Sequence, residues 1–222
     1  MLRTVVATAV LSAAAVMPVV AAPDDPGRFV RATFTEAVDT LVRHRDTIDG
    51  DPAAAAELID TTLAERIDFE LVGRLVLGRH VRETDAEQRQ RFLTAFRDHL
   101  VRAYAGALSE HVDQAVTLVR DNPDMLRIER TTEPDDRGRV TVSARIQLDG
   151  GSAVRIRFRL IRGEDHPWRI YDVVVEGFSL IAHFRSEFGT IARREGIDGL
   201  IRRLEDHSQP LVPDAGAIEE AE

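Results

Sequence analysis

Two neighbouring strands decide the fold class of this chain. Residues 140–160 read VTVSARIQLDGGSAVRIRFRL, and apolar and polar side chains alternate before and after the central Asp-Gly-Gly-Ser. A period of two is typical of a strand that buries one face. The four central residues have the composition of a tight turn. The segment therefore predicts an antiparallel hairpin with one apolar face.

The same period indicates further strands on both sides of the hairpin. Residues 168–175 follow a turn at residues 163–167 and predict a third strand. Residues 115–131 predict one or two more strands, interrupted at Asn122-Pro123. The sheet is therefore expected to contain about four to five antiparallel strands.

Helical periodicity precedes this sheet. Apolar residues recur at helical spacing from Phe29 to Val42, and Asp51-Pro52 predicts the start of a second helix. Residues 69–78 predict a buried short helix or a bend. Thr84 to Glu87 has the pattern of a capping box, which predicts the start of another helix.

The helix after this box carries a ladder of large apolar side chains at every fourth position, namely Phe92, Phe96, Leu100, Tyr104 and Leu108. The period changes from helix to strand after about residue 112. Helical spacing returns at Ser179, Gly196 is expected to interrupt that helix, and Asp198 to begin the last one. The order of helices, antiparallel strands and helices predicts an α+β fold, with helices covering one face of a curved sheet.

The two ends of the chain differ from this domain. Residues 1–21 have a short positive start, an uncharged Ala/Val-rich run and small residues at its end, which predicts a cleaved signal peptide. The apolar run is about 16 residues, short of the ~20 that span a bilayer, so a membrane anchor is the weaker interpretation. Residues 22–208 are expected to form one domain, and residues 209–222 a flexible acidic tail.

The composition of the chain argues against several classes of function. The chain has a net charge of −9 and no cysteine, and its 29 basic residues are all arginine. An acidic chain has no general attraction to nucleic acid or to anionic membranes. Without cysteine, neither a disulfide nor a thiol nucleophile is available. The seven histidines are scattered without ligand spacing. No metal or cofactor is therefore predicted.

Two carboxylates could support chemistry. On a strand, Asp172 and Glu176 point to the same face, together with Trp168, Ile170 and Val174. An apolar neighbourhood raises the pKa of a carboxyl group and can make it a general base. In the structural interpretation, which we favour, Asp172 pairs with an arginine or Glu176 caps the turn into the following helix.

A row of arginines forms the polar face of the second hairpin strand, at Arg155, Arg157 and Arg159. The row could dock an anionic partner or a lipid headgroup. Alternatively, it is the solvated outer face of the sheet, where charges discourage pairing with strands of other chains. The sequence leaves both interpretations open.

A family resemblance rests on several ordered motifs. Residues 168–180 read WRIYDVVVEGFSL, residues 184–188 FRSEF, residues 194–200 REGIDGL, residues 75–78 LVLG and residues 92–96 FLTAF. Together they resemble the MlaC-type (toluene tolerance) periplasmic phospholipid-binding shuttles of Gram-negative bacteria. The likeness covers most of residues 29–206, while residues 121–138 and the acidic tail depart from it.

The resemblance implies a fold like nuclear transport factor 2, closed on a deep apolar cavity that holds a lipid by its acyl chains. The cavity lining that it implies combines sheet and helix residues: Leu75, Val76, Phe92, Phe96, Leu100, Tyr104, Ile146, Ile156, Phe158, Val173, Val175, Phe178, Ile181, Phe184 and Phe188. The implied location is the periplasm. The implied partners are an outer-membrane lipoprotein–porin complex and an inner-membrane ABC transporter with a lipid-binding substrate protein.

The expected function is therefore that of a carrier and not of an enzyme. It would shuttle phospholipid between the outer and inner membranes and so maintain the lipid asymmetry of the outer membrane. Two alternatives stay open: a carrier for another lipid such as a hopanoid, or an enzyme on the same fold that uses Asp172 or Glu176 as its base.

Overall fold

The computed structural model describes residues 25–148, 151–163 and 167–206. The expected signal peptide and acidic tail lie outside the described residues, as do the centres of the two turns expected at residues 149–152 and 163–167. Among the described residues, no helix combines the length and the apolar character needed to cross a membrane.

Helices come first and last along the chain. Within the described residues they are α1 (Pro26–Ile48), α2 (Pro52–Leu63), α3 (Phe69–Leu77), α4 (Ala86–Asp121) and α5 (Leu180–Glu205). Short 3₁₀ turns follow α2 and α3, at Ala64–Arg66 and Gly78–Glu83. The backbone leaves the helical region at His111 in α4 and at Gly196 in α5, where φ is +71°. The predicted interruption at Gly196 is thus a kink within α5.

Aspartates begin most of these helices. The carboxylates of Asp25, Asp51 and Asp68 accept hydrogen bonds from the first free amides of α1, α2 and α3. Helix α4 has a reciprocal capping box between Asp85 and Gln88, one residue later than the sequence predicted. Thr84, the expected cap, instead donates its hydroxyl to a carbonyl oxygen of the preceding turn.

The strands lie between α4 and α5. They are β1 (Leu126–Thr131), β2 (Arg139–Gln147), β3 (Ala153–Ile161), β4 (Arg169–Val175) and β5 (Phe178–Ser179). In the described part of the chain they form one five-stranded sheet in the order β1-β2-β3-β4-β5, with antiparallel neighbours throughout. The predicted α+β class and the central hairpin are therefore confirmed.

The strand predicted at the start of residues 115–131 is wrong, because α4 continues to Asp121. Val112 and Val116 lie on the last turns of α4. Both are buried at helical spacing, in a cluster with Ile48 of α1 and Ala55 of α2. Tertiary packing therefore keeps this segment helical, and β1 begins after the Asn122-Pro123 interruption.

Helix α1 covers one face of the sheet. Phe29 and Val30 pack against a buried layer that includes Val142, Leu160 and Trp168. A second buried cluster lies among α3, α4 and α5 and contains Phe92, Phe96, Phe184 and Phe188. The sheet and the helices thus have separate cores, and β4 lies where they meet.

A bulge in β4 changes which side chains share a face. Arg159 pairs with Asp172, but the next residue, Leu160, pairs with Ile170, so Tyr171 is the extra residue. Ile170 therefore lies on the face covered by α1, and Asp172 on the opposite one. This corrects the expectation that Asp172 shares a face with Ile170 and Trp168, since Trp168 packs in the same cluster as Leu160.

Candidate functional site

An apolar cavity lies where β4 meets helices α2 to α5, and its volume is about 200 Å³. The segment after α2 is held against β4, because the Asp68 amide donates to the Ile170 carbonyl at 2.9 Å and Ile67 bridges to Ile170. Helix α5 begins immediately after the short strand β5 and returns its first turn to β4. Four consecutive residues, Ile170 to Val173, therefore form one wall of the cavity.

The cavity wall contains several of the residues that the sequence analysis selected. Those residues are Phe96, Leu100, Tyr104, Val173, Ile181 and Phe184. They come from α4, β4 and α5, which are far apart in sequence. Their function in lipid binding stays a prediction.

The other selected residues lie outside this wall. Val76, Phe92 and Phe188 are buried in the helical core behind it, and Leu75 is half-buried on α3. Ile146 and Phe158 pack beside α1, and Ile156 and Val175 are paired, half-buried neighbours on β3 and β4. Phe178 on β5 is 46% exposed.

Aromatic rings connect the cavity wall to the helical core. The ring centroids of Phe96 and Phe184 are 5.3 Å apart, with the rings nearly perpendicular. Phe188 lies 5.5 Å from both, and Phe92 stacks on Phe96 at 5.6 Å. Edge-to-face and offset pairs of this kind add to the stability that burial alone gives. The rings that line the cavity are therefore also part of the core.

Sequence reasoning missed the contribution of α2 and α3 to the wall. Ile59, Leu63, Ile67, Phe69 and Val72 all line the cavity. Their helical stripe was visible in the sequence, but a stripe does not reveal which strand it faces. The contact depends on the bridge from Ile67 to β4, for which the sequence carries no separate signal.

Another apolar cavity, of about 320 Å³, lies on the far side of α2, among α1, α2 and α4. Its wall includes Leu41 of α1 and Leu108 of α4. Ile59 and Leu63 belong to the walls of both cavities. The side chains of one helix therefore separate the two.

Polar groups mark the rim of the first cavity. Tyr104 lines the cavity yet is 43% exposed, and partial burial raises the pKa of its hydroxyl. Asp60 of α2 also lines the cavity. It accepts a hydrogen bond from Nε of Arg97, on α4, at 2.8 Å. The guanidinium carbon of Arg97 lies 5.3 Å from the ring centroid of Phe69. Arg97 thus joins α2, α3 and α4 at the rim.

Asp172 is only 4% exposed, and both oxygens of its carboxylate accept hydrogen bonds. Oδ2 accepts hydrogen bonds from Arg159 at 3.1 Å and from the Ser179 hydroxyl at 2.7 Å. Oδ1 accepts from the amide of Ile181, in the first turn of α5, at 3.2 Å. Asp172 therefore forms the predicted arginine pair and also caps α5, the function expected of Glu176.

Glu176 does not cap the helix, so that part of the prediction is wrong. Its carboxylate accepts hydrogen bonds from the Arg155 guanidinium at 2.8 and 3.0 Å and from the Arg155 amide. These bonds hold the pKa of Glu176 below its usual value. Glu176 and Gly177 both have positive φ, as the centre of a type I′ turn between β4 and β5 requires.

The predicted arginine row lies on the sheet face opposite α1. Arg155 pairs with Glu176 and Arg159 pairs with Asp172, while Arg157 is exposed. The row is thus partly neutralised within the molecule. Its use as a docking face stays one of the two open interpretations. Across residues 25–148, 151–163 and 167–206, no three carboxylate or imidazole groups are clustered in the way a metal ion needs.

Comparison with known proteins gives consistent matches. Residues 31–206 match a family model described as MlaC protein. The chain is 25% identical over 208 residues to the intermembrane phospholipid transport system binding protein MlaC of Haemophilus influenzae, covering 92% of each chain. It is 27% identical over 180 residues to the toluene tolerance protein Ttg2D of Pseudomonas putida, covering 80% of this chain and 77% of the relative.

A solved structure shares the fold. It is the phospholipid-binding protein from Ralstonia solanacearum in complex with a phospholipid, with a TM-score of 0.69 and 22% sequence identity. The alignment covers 82% of this chain and 96% of the other. The arrangement of strands and helices described above is therefore an architecture already observed by experiment.

Proposed function

The chain belongs to the MlaC family, and from that premise we propose that it is a phospholipid carrier whose acyl chains occupy the cavity between β4 and helices α2 to α5. The observation that carries the proposal is the wall of that cavity, which is built mainly from aliphatic and aromatic side chains. The relative from Haemophilus influenzae, named as a phospholipid transport binding protein, aligns over nearly the whole chain.

A carrier needs such a wall for a physical reason. Each methylene group exposed to water costs about 0.8 kcal/mol, so two 16-carbon chains represent about 25 kcal/mol. A protein that leaves them half exposed cannot compete with a bilayer. An apolar interior makes transfer nearly neutral and reversible, and the reaction requires no nucleophile or cofactor.

The size of the cavity constrains how a lipid is held. Its volume of about 200 Å³ is below the ~300–1,000 Å³ of typical small-molecule sites. A lipid with two chains therefore needs the walls to move apart. The cavity beyond α2 offers further apolar volume, and the side chains of Ile59 and Leu63 line both cavities. We propose that α2 is the wall that moves.

The carboxylates favour a carrier over an enzyme. Both oxygens of Asp172 already accept hydrogen bonds, from Arg159, Ser179 and Ile181. Glu176 is held by Arg155, on the exposed turn after β4. A general base needs an oxygen within hydrogen-bonding reach of the proton that it removes. Neither carboxylate presents a free oxygen to the cavity, so we propose that this chain performs no chemistry on its lipid.

The cellular setting belongs to the same proposal. With residues 1–21 removed on export, the protein would act in the periplasm. It would exchange phospholipid with an outer-membrane lipoprotein–porin complex and with an inner-membrane ABC transporter and its lipid-binding substrate protein. The relative's name, intermembrane phospholipid transport system, supports transfer between two membranes.

The test is native mass spectrometry of lipid that co-purifies with the protein, together with transfer between donor and acceptor vesicles. We expect phospholipid in the wild type. Leu100→Trp, which fills the cavity, should reduce bound lipid severalfold at unchanged folded yield. Ile161→Trp, at a half-buried position on β3 outside the cavity wall, is the matched control and should bind as the wild type. A hopanoid in place of phospholipid, or equal loss in both variants, would contradict the proposal.

A further inference from the structure

We infer that the side chain of Arg97 binds the phosphate of the lipid. When no phosphate is bound, the guanidinium of Arg97 pairs with Asp60 instead. The inference rests on the proposed function, because it assumes that acyl chains enter the cavity beside these residues. Beyond that function, the inference identifies the phosphodiester as the part of the lipid that is recognised and Arg97 as the residue that recognises it.

The position of Arg97 supports this assignment. It lies on α4 immediately after Phe96 and one turn before Leu100 and Val101, all of which line the cavity. Tyr104 lies seven residues further along the same helix, about 10 Å at 1.5 Å per residue. Residues at this spacing share a helix face. Arg97 and the exposed Tyr104 therefore lie along the rim of the same cavity.

The chemistry of the cavity places the phosphate at this rim, where a cation can bind it. With the tails among apolar side chains, the phosphate cannot follow them inside, because an unpaired buried charge is strongly unfavourable. It must stay where the wall ends. Arginine binds phosphate through two parallel N–H groups, and such charge-assisted hydrogen bonds are stronger than neutral ones.

The present partner of Arg97 is suited to exchange. Asp60 binds the guanidinium through one oxygen, Oδ1, at 2.8 Å from Nε and 2.6 Å from Nη2. Both side chains are partly exposed, at 36% for Arg97 and 41% for Asp60. Exposed ion pairs contribute little net free energy. A phosphate can therefore replace the carboxylate at small cost, while contact with the Phe69 ring keeps the guanidinium in place.

Two other arginines contact residues of the cavity wall. Arg159 is bound to Asp172. Arg139 lies with its guanidinium 5.4 Å from the ring centroid of Tyr171, and its Nε is buried without a hydrogen-bond partner. Arg139 is therefore the competing candidate, and the experiment has to distinguish it from Arg97.

The experiment compares two ligands with identical chains. Dioleoylphosphatidylethanolamine and dioleoylglycerol differ only in the phosphoethanolamine group. Dissociation constants for both are measured by native mass spectrometry with the delipidated mature protein. We expect Arg97→Gln to weaken binding of the phospholipid about tenfold and to leave binding of dioleoylglycerol unchanged. Asp60→Asn should tighten phospholipid binding, because it removes the competing carboxylate.

Arg91→Gln is the matched control. Arg91 lies on the same helix, pairs with Glu205 at 3.2 Å and is outside the cavity wall. It should change neither dissociation constant. Thermal unfolding of each variant reports any loss of fold. Arg97→Lys keeps the charge without the planar fork, and is expected to recover part of the phospholipid affinity.

Each outcome decides a different point. Equal weakening for both ligands in Arg97→Gln would mean that Arg97 only braces the helices, and would overturn the inference while leaving the carrier function. A selective loss in Arg139→Gln instead would assign the phosphate to Arg139 and also overturn it. If the wild type binds neither dioleoyl lipid, the proposed function itself fails.

Discussion

At the scale of single residues, Asp172 connects the sheet to α5. It joins β3 through Arg159 and the first turn of α5 through Ser179 and Ile181. The sequence identified this residue by its position on an otherwise apolar strand. It could not specify the partners, because the bulge at Tyr171 determines the face on which the carboxylate lies.

This arrangement predicts the effect of Asp172→Asn. An amide keeps the shape of the side chain but loses the charge that faces Arg159. Because the group is buried, we expect the free energy of unfolding to fall by about 1–3 kcal/mol. Lipid transfer between vesicles should remain near wild type in the folded fraction. Urea unfolding and a transfer assay measure the two quantities.

Glu176→Gln is the comparison for that variant. Its ion pair with Arg155 is exposed, so the loss of stability should be smaller than in Asp172→Asn. An enzyme would behave differently, since replacing its catalytic base typically lowers the rate 10²-fold or more. A chemical turnover that disappears in either variant, at wild-type stability, would refute the assignment as a carrier.

At the scale of elements, the sequence predicted the helices and strands better than their contacts. Hairpin β2–β3 was predicted from a period of two, and α5 from the helical spacing of its apolar residues. Residues 115–121 were predicted as strand, whereas packing against α1 and α2 keeps them helical. The contributions of α2 and α3 to the cavity could not be predicted, because they depend on the pairing of Ile67 with Ile170 across distant parts of the chain.

Helix α2 separates two apolar cavities, and Leu63 belongs to both walls. Leu63→Ala should therefore join them and shift the bound lipid toward longer acyl chains. Its half-buried side chain predicts a loss of about 1–2 kcal/mol in stability, below the 2–5 kcal/mol of a fully buried leucine. Mass spectrometry of the co-purified lipid gives the chain-length distribution.

Leu93→Ala provides the control for this change. Leu93 is a half-buried leucine of α4 that packs against Gly73 of α3, outside both cavity walls. A similar loss of stability with an unchanged chain-length distribution is expected. The hypothesis of a movable α2 is wrong if both variants shift the distribution equally.

At the scale of the whole molecule, one prediction concerns export. Signal peptidase should cleave after Ala21 or Ala22, because the apolar run is too short to remain as an anchor. N-terminal sequencing of the periplasmic fraction should therefore begin at Ala22 or Pro23. Recovery of Met1 from a membrane fraction would contradict both the processing and the location.

Phe96 and Phe184 belong both to the cavity wall and to the aromatic core. Under the proposed function, a bound lipid would therefore stabilise the fold and lengthen the lifetime of the protein. A ligand that binds only the folded state stabilises it by RT ln(1 + [L]/Kd), about 2.7 kcal/mol at a hundredfold excess over Kd. Proteases remove chains through the unfolded state. Loaded molecules would therefore outlast unloaded ones, and the abundance of the carrier would follow the supply of lipid without a dedicated regulator.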